Sequence, residues 1–303
     1  MSKTTTNLLG IIITILAGTY FYLNYCSECA AKEKEEVPEK KEVIVPAEPE
    51  ATSYPFAFKD GDYAYNVNDN FNFNVSSSSI LTPISSQVDE GIGGLKSYLL
   101  ENDAKVLNIK GYYKGDEINS SAFPNLGLAR SNAVKNYLVT KEIPSSRINT
   151  MGELMDSMVP KDKVLLGPIA YNLDTKSEDA ETELKVLYDK IKTNPLVLYF
   201  ETGETSINLT PKQRQKVADI SRYLDKVDGA TAIVTGHTDN VGQRSSNVAL
   251  GQGRADFAKA YLINNGIPEA KIQATSEGPD SPIESNTTEQ GRSKNRRTVV
   301  TLN

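Results

Sequence analysis

The sequence predicts an α+β protein in which two small two-layer α/β sandwiches follow an N-terminal transmembrane helix and a linker. Three observations support this fold class. An uncharged apolar run near the N-terminus is followed by a segment rich in Glu, Lys and Pro. Beyond it, β-rich runs alternate with helical patterns, as expected for helices that cover one face of a small mixed sheet. Within this part, one block of sequence recurs further along the chain.

The first segment, residues 1–27, is predicted to be a membrane anchor. The run from Leu8 to Cys26 contains no charged residue, and as a helix it is long enough to cross a hydrocarbon layer roughly 30 Å thick. Lys3 precedes the run and aromatic residues crowd its far end, as at a membrane interface. We therefore expect the N-terminus to stay in the cytoplasm and the globular part to lie in the periplasm.

Two alternatives for this segment remain open. A cleaved signal peptide would also carry an apolar run, although no small-x-small pattern closes this one. Lipidation of Cys26 would require a small residue before the cysteine, and Tyr25 stands there. Residues 28–54 contain too few apolar side chains to offset the entropy of ordering, so we expect an extended linker.

The bulk composition excludes several classes of function. A net charge of −6 gives no general attraction to nucleic acid. The chain has one histidine, His237, and two cysteines, Cys26 and Cys29, which cannot supply a multi-His or Cys/His metal centre in the folded part. The folded part likewise lacks the residues for a Cys/His catalytic pair, and the sequence contains no GxSxG motif. We expect no enzyme activity, no metal and no cofactor.

The recurring block divides the rest of the chain. RSNAVKNYLVTKEIPSSRI at 130–148 matches RADFAKAYLINNGIPEAKI at 254–272, with Arg, Lys, Tyr, Leu, Ile, Pro and Ile at the same offsets. This repetition predicts two related domains, 55–175 and 196–303, joined by a helical connector at 176–195.

The second domain has the clearer local signals. A β-rich run begins it, and Thr210 with Pro211 and Gln213 then forms the pattern of a capped helix start. A strand and a long helix follow, and Gly266 is a suitable left-handed cap for that helix. The predicted elements are strands at 196–200 and 231–235, helices from 211 and over 247–265, two further strands at IQATSE and TVVTL, and an irregular insert between those two.

A set of motifs in the second domain follows in a fixed order. GHTDNVG at 236–242 comes directly after a strand, and Asn247, GRA at 253–255 and NRR at 295–297 follow. Over residues 196–303 this set resembles the OmpA-like C-terminal domain family, so the fold prediction becomes two tandem OmpA-like sandwiches. The resemblance implies binding, without turnover, of the diaminopimelate-containing stem peptide of peptidoglycan. It assigns Asp239 and Arg254 to the ligand, with Thr238, Asn247 and Arg297 in supporting positions.

Helix periodicity gives an independent argument for the first two residues. At 100° per residue, Arg254 falls within or beside the buried stripe of its helix. A guanidinium there needs an anion, and Asp239 is the nearest carboxylate in this supersecondary unit, so we expect the two to pair. Diaminopimelate carries an ammonium and a carboxylate on one carbon, which this pair would complement. The alternative is an internal salt bridge that only braces the loop against the helix.

The first domain departs from the pattern. GYYKGDE at 111–117 replaces GHTDNVG, so that Lys114 falls where Asp239 stands, while Arg130 is retained opposite Arg254. Two cations would repel the ligand's ammonium, unless Asp116 enters the site through a shorter loop. We expect a degenerate copy that serves as a spacer or binds another envelope protein.

Together these observations predict a non-catalytic peptidoglycan-binding protein that tethers a membrane to the cell wall. The alternative function is a protein-interaction or assembly module of an envelope complex that does not bind peptidoglycan. Retention on insoluble peptidoglycan that depends on Asp239 would distinguish the two.

Overall fold

The structure is a computed structural model, and it describes residues 3–26, 50–264 and 266–303. The chain divides into two compact units, Met1–Pro49 and Glu50–Asn303. The predicted linker falls largely on residues outside the described ones, as does Cys29. The predicted domain boundaries inside the larger unit remain predictions.

The described part of the smaller unit is a helix, and it does not confirm the predicted transmembrane span. Helix α1 covers Lys3–Phe21 and continues as a short π-helix, Tyr22–Cys26. Among the described residues, no helix has the length and apolar character needed to span a membrane.

Residues 50–175, here called the first half, contain one three-stranded sheet and several smaller pairings. Strand β4 is central, and it pairs in parallel with β5 and antiparallel with β7. Helix α3 connects the two parallel strands. The elements are β1 Phe56–Asp60, β2 Tyr63–Val67, β3 Phe73–Asn74, α2 Ser86–Glu101, β4 Lys105–Tyr113, α3 Leu126–Thr140, β5 Ile148–Leu154, β6 Val164–Leu165 and β7 Ile169–Thr175.

One predicted strand of the first half is broken in two. The sequence predicts a last strand over 163–173, but β6 ends at Leu165 and β7 begins at Ile169. Gly167 between them has a φ of 59°, and a Cβ there would lie 2.4 Å from the carbonyl oxygen of Tyr54. The turn therefore requires glycine and separates the two short strands.

Helix α4, Ala180–Thr193, occupies the predicted connector. Its Ile191 is buried in the core of the residues that follow, and Leu187 and Tyr188 pack against the same core. Because Lys192 also donates to the carbonyl of Leu302 at 3.1 Å, this helix is fastened to the C-terminal part of the chain.

Residues 196–303, here called the second half, form a four-stranded sheet in the order β10-β9-β11-β8. Strands β9 and β10 are parallel, and β11 is antiparallel to both of its neighbours. The elements are β8 Leu196–Tyr199, α5 Pro211–Lys226, β9 Ala232–His237, α6 Arg244–Asn264, β10 Ile272–Gly278, α7 Glu289–Asn295 and β11 Arg297–Leu302.

The local signals of the second half are largely confirmed. Thr210 and Gln213 form the capping box that precedes α5, and Gly266 has the left-handed φ of 90°. Helix α6 begins three residues before the predicted Asn247, at Arg244, and its predicted end at Asn265 lies outside the described residues. The insert predicted to be irregular contains helix α7, which Thr288 caps by accepting from the N–H of Gly291.

Polar contacts join the two halves along α5. Lys135 on α3 forms a buried ion pair with Asp225, and the backbone carbonyl of Asp225 accepts from the Ser145 hydroxyl at 3.0 Å. Lys226 donates to the carbonyls of Ser146 and Ile148 at 2.8 and 2.7 Å. The last turn of α5 is therefore fixed against the segment that leads into β5.

Candidate functional site

The predicted site lies where β9 ends and α6 begins, and two glycines allow these elements to approach each other. A Cβ at Gly236 would lie 1.9 Å from the carbonyl oxygen of Gly251, and one at Gly251 would lie 2.3 Å from Ser276 Oγ. Any other residue at position 236 would displace the helix, and any other residue at position 251 would displace the Ser276 side chain. The helix that carries Asn247 and Arg254 is therefore held directly against the sheet.

Thr238 and Asn247 shape the loop between β9 and α6. The N–H of Thr238 donates to the carbonyl of Gly278 at 2.8 Å, and its hydroxyl donates to the carbonyl of Asp239 at 2.9 Å. The Asn247 side chain donates to the carbonyl of Val241 at 3.1 Å. Both residues are buried, and their hydrogen bonds hold the loop in shape.

Asp239 pairs with Arg296 and not with Arg254, which corrects the predicted pair. Arg296 Nη1 donates to Asp239 Oδ2 at 2.9 Å, while Asp239 Oδ1 accepts from the N–H of Val241 at 3.0 Å. The other guanidinium edge of Arg296 donates to Glu289 at 2.8 Å. Burial alone would lower the pKa of Arg296, but its hydrogen bonds to Asp239 and Glu289 outweigh burial and raise it.

Arg254 is completely buried, as its helix position predicts, but its partners are backbone carbonyls. It donates to the carbonyls of Glu204 and His237, both at 2.9 Å, and to that of Glu201 at 3.2 Å. Its guanidinium also lies 5.2 Å from the centroid of the Phe200 ring. In the part of the chain that the structure describes, no carboxylate lies within ion-pair distance of it.

The electrostatic state of Arg254 follows from these surroundings. Burial lowers its pKa to about 10, the positive charge of Arg296 acts in the same direction, and the charge of Asp239 opposes them. A buried cation without an anionic partner is energetically unfavourable. Arg254 is therefore a fixed positive charge that an anion would stabilise.

Arg297, the supporting residue predicted from NRR, takes a different place from its neighbour. It donates to the carbonyls of Asn295 and Ser281 at 3.4 and 3.1 Å, and burial lowers its pKa. The arginine that joins Asp239 is Arg296, one residue earlier. The sequence interpretation missed this partner of Asp239, and the NRR motif was the available signal.

His237, the last residue of β9, is buried beside this network. Its Nδ1 atom has no hydrogen-bond partner among the described residues and lies 3.8 Å from Glu277 Oε2. Burial and the charge of Arg297 lower its pKa to about 4. The imidazole is therefore neutral at neutral pH.

A cleft of about 300 Å³ opens beside the network. Arg296 contributes to its wall and is also the partner of Asp239. Within the described ranges, no group of three or more His, Cys, Asp or Glu side chains is placed to hold a metal ion. The residues that line the cleft are Tyr199, Phe200, Glu201, Ser293, Lys294 and Arg296.

The first half holds Arg130 in closely similar surroundings, with one difference. Arg130 is completely buried and donates to the carbonyls of Ser77 and Tyr112 at 3.0 and 2.9 Å. Its remaining donors reach both carboxylate oxygens of Glu117. Glu117, and not Asp116, therefore enters this position, and Lys114 pairs with Asp116 at 3.5 Å. This corrects the expectation that Lys114 and Arg130 would together present two cations to a ligand here.

Comparisons with known proteins match part of the chain. Residues 199–296 match the OmpA family. Outer membrane protein Omp38 of Acinetobacter baumannii is 29% identical over 136 residues, which are 45% of this chain and 34% of that protein. The peptidoglycan-associated lipoprotein of Buchnera aphidicola is 32% identical over 103 residues, 34% of this chain and 58% of that protein. The chain thus spans less than two thirds of the length of each of these relatives.

Among solved structures, the peptidoglycan-associated lipoprotein from Burkholderia pseudomallei is similar, with 25% identity and a TM-score of 0.32. The match covers 35% of this chain and 89% of that one. The C-terminal domain of Helicobacter pylori MotB has 24% identity and a TM-score of 0.31, with 36% and 84% covered. The family match identifies residues 199–296 as a domain of the OmpA family.

Proposed function

We propose that the second half binds peptidoglycan without turnover, through the diaminopimelate of its stem peptides, and that the protein acts in a bacterial cell envelope. The observation that carries the proposal is Arg254, a completely buried guanidinium with carbonyl partners and no carboxylate within ion-pair distance among the described residues. A carboxylate is the ligand that would complement it best. The name of one relative, the peptidoglycan-associated lipoprotein of Buchnera aphidicola, supports peptidoglycan as the ligand.

Asp239 supplies the complementary charge for the ligand's ammonium. Each of its carboxylate oxygens accepts one hydrogen bond within the protein, and a carboxylate oxygen has room for a second. The side chain is not fully covered, since 10% of it is exposed. An ammonium and a carboxylate on one carbon would thus meet Asp239 and Arg254 respectively.

Contact with Arg254 requires a local rearrangement because this side chain is covered. Its bond to the Glu201 carbonyl, at 3.2 Å, is longer than the 2.9 Å bonds to Glu204 and His237. Glu201 also lines the cleft. We expect the ligand's carboxylate to enter from the cleft and to replace this carbonyl on the guanidinium.

Retention on purified sacculi tests the proposal. Asp239→Ala and Arg254→Ala should each remove most retention, because loss of one partner of a desolvated charge pair typically costs about 2–5 kcal/mol. Asp280→Ala is the matched control, since Asp280 pairs with Arg244 on the exposed surface of the same half. If both site variants melt at lower temperature but are retained like the control, these residues only brace the fold.

Competition with small molecules identifies the ligand. Free meso-diaminopimelate should displace the protein from sacculi. Pimelate lacks the ammonium groups and cadaverine lacks the carboxylates, so neither should compete. Equal competition by pimelate would show that a simple dianion suffices, which would contradict the assignment of Asp239 to an ammonium.

A membrane-to-wall tether is the second part of the proposal. Ile11, Ile13 and Leu16 on α1 are exposed, which supports association of this helix with lipid or with an apolar protein surface. The variant Ile13→Glu/Leu16→Glu should move the chain from the membrane fraction to the soluble fraction while sacculus retention persists. Unchanged fractionation would exclude α1 as the point of attachment.

A further inference from the structure

The guanidinium groups of Arg130 and Arg254 occupy equivalent surroundings in the two halves. In each case Nη1 donates at 2.9 Å to the carbonyl of the residue that follows a strand glycine, Tyr112 after Gly111 and His237 after Gly236. In each case Nε donates to a carbonyl of the loop before the preceding helix. Arg130 reaches Ser77, before α2, at 3.0 Å, and Arg254 reaches Glu204, before α5, at 2.9 Å.

The apolar and steric surroundings agree as well. Arg130 lies 5.7 Å from the centroid of the Phe73 ring, as Arg254 lies over Phe200. A Cβ at Gly111 would lie 2.0 Å from the carbonyl oxygen of Gly127, which reproduces the close approach of strand and helix in the second half. Both halves therefore bury a guanidinium by the same construction.

The carboxylate of Glu117 is the difference between them. It accepts from Arg130 through both oxygens, and it also accepts from the N–H groups of Ser76 and Lys114 at 2.8 and 2.9 Å. The Glu117 side chain is 1% exposed. A turn in which the N–H of Glu117 donates to the carbonyl of Lys114 brings this residue back over the guanidinium.

We propose that the first half contains a carboxylate-binding site that the chain itself occupies, with Glu117 in the place of an external carboxylate. The two guanidinium-facing bonds and the two backbone donors satisfy the carboxylate fully, as they would satisfy a bound ligand. A free carboxylate in water would have to displace a tethered one, which is held at a high effective concentration. The site is therefore closed in the native chain and opens only when the Glu117 carboxylate is removed.

This closed site predicts that the chain offers a single site for stem peptides. It also replaces the earlier explanation from charge repulsion: Lys114 does not exclude the ligand, because its side chain pairs with Asp116 and only its backbone N–H faces the site. The first half does not bind a ligand because Glu117 already occupies its site.

The backbone N–H groups of Ser76 and Lys114 report on the site directly in an NMR titration of the full-length chain. In Glu117→Ala, acetate should shift both amide signals to saturation, whereas chloride at equal ionic strength should not. In the wild type neither salt should move them. Glu153→Ala is the matched control, because Glu153 pairs with Lys110 at a partly exposed position of the same half. Glu117→Ala/Arg130→Met should lose the response to acetate.

Two outcomes would overturn the proposal. In the first, acetate and chloride have the same effect on the Ser76 and Lys114 amide signals of Glu117→Ala, and the same effect on the folding of this variant. The other needs no variant: meso-diaminopimelate or acetate that shifts the Ser76 and Lys114 amides of the wild type would show an open site.

The Val241 amide, which donates to Asp239, reports separately on the second half. Its failure to respond to diaminopimelate would contradict the proposed function and leave the closed site unaffected.

Discussion

Arg296 donates a hydrogen bond of 2.9 Å to the carboxylate of Asp239, and both side chains are buried. The pair joins the loop after β9 to the start of β11, two elements that are 57 residues apart along the chain. Through its second edge Arg296 also reaches Glu289 on α7. The orientation of the Asp239 carboxylate therefore depends on a residue outside the GHTDNVG loop.

Replacement of Arg296 should destabilise the second half strongly. In Arg296→Met the Asp239 carboxylate would keep only the Val241 N–H as a partner, and an uncompensated buried charge typically costs about 3–5 kcal/mol. Denaturant unfolding measures this cost. Arg292→Met is the control, since Arg292 pairs with the same Glu289 at a partly exposed position and should lose less than about 1 kcal/mol. Similar losses in both variants would show that the Asp239 contact contributes little.

The elements of the second half could be predicted from sequence because their signals are local. The capping box before α5 and the glycine after α6 depend only on residues a few positions apart. The pairing of Asp239 could not be predicted in this way. Arg296 immediately precedes β11, so the alternation of side chains along a strand does not fix its direction. The NRR motif contains two arginines, and the local sequence does not show which of them reaches Asp239.

The partners of the two buried arginines, Arg130 and Arg254, could not be predicted because they lie far away along the chain. Arg254 reaches carbonyls of Glu201 and Glu204, which lie 53 and 50 residues away. A backbone carbonyl carries no signature in the sequence, so a carboxylate was the expected partner. Alignment of the first half with the second placed Lys114 at the site. Because of the turn that ends at Glu117, the side chain of Glu117 occupies this position instead.

Glycine at position 236 should be indispensable for the second half. In Gly236→Ala the new Cβ would lie 1.9 Å from the Gly251 carbonyl oxygen, so α6 must move away from the sheet, at a cost of about 2 kcal/mol or more. Displacement of α6 should also reduce sacculus retention. Gly93→Ala is the matched control, because a Cβ there meets nothing within 4 Å and alanine favours a helix by about 1 kcal/mol. Thermal melting that ranks the two variants in the opposite order would contradict the close approach of β9 and α6.

Acidification should destabilise the fold through His237. Burial, together with Arg297, lowers the pKa of this imidazole to about 4, whereas an imidazole in an unfolded chain has a pKa near 6.5. Between these values the unfolded chain binds a proton that the folded chain does not, so the free energy of unfolding falls as the pH falls. From pH 7 to pH 5 this linkage gives a loss of up to about 2 kcal/mol.

His237→Gln removes the titrating group and serves as the control for this pH dependence. Its free energy of unfolding, measured by denaturant titration at the same pH values, should change less between pH 7 and pH 5 than that of the wild type. Parallel pH profiles for the two proteins would show that the imidazole does not stay neutral in the fold.

The ion pair between the halves should contribute much more to stability than an exposed pair. Lys135 and Asp225 are both largely buried, at 3% and 15% side-chain exposure, so each depends on the other for compensation of its charge. A double-mutant cycle with Lys135→Met and Asp225→Asn should give a coupling free energy of about 2–3 kcal/mol. The same cycle on Lys190 and Asp219, a pair whose lysine is 59% exposed, should give less than about 1 kcal/mol.

Because Asp225 also accepts from Ser145 through its carbonyl, the asparagine variant leaves that backbone contact intact, and the cycle isolates the side-chain pair. Equal coupling in the two cycles would mean that the Lys135–Asp225 pair contributes no more to stability than an exposed pair.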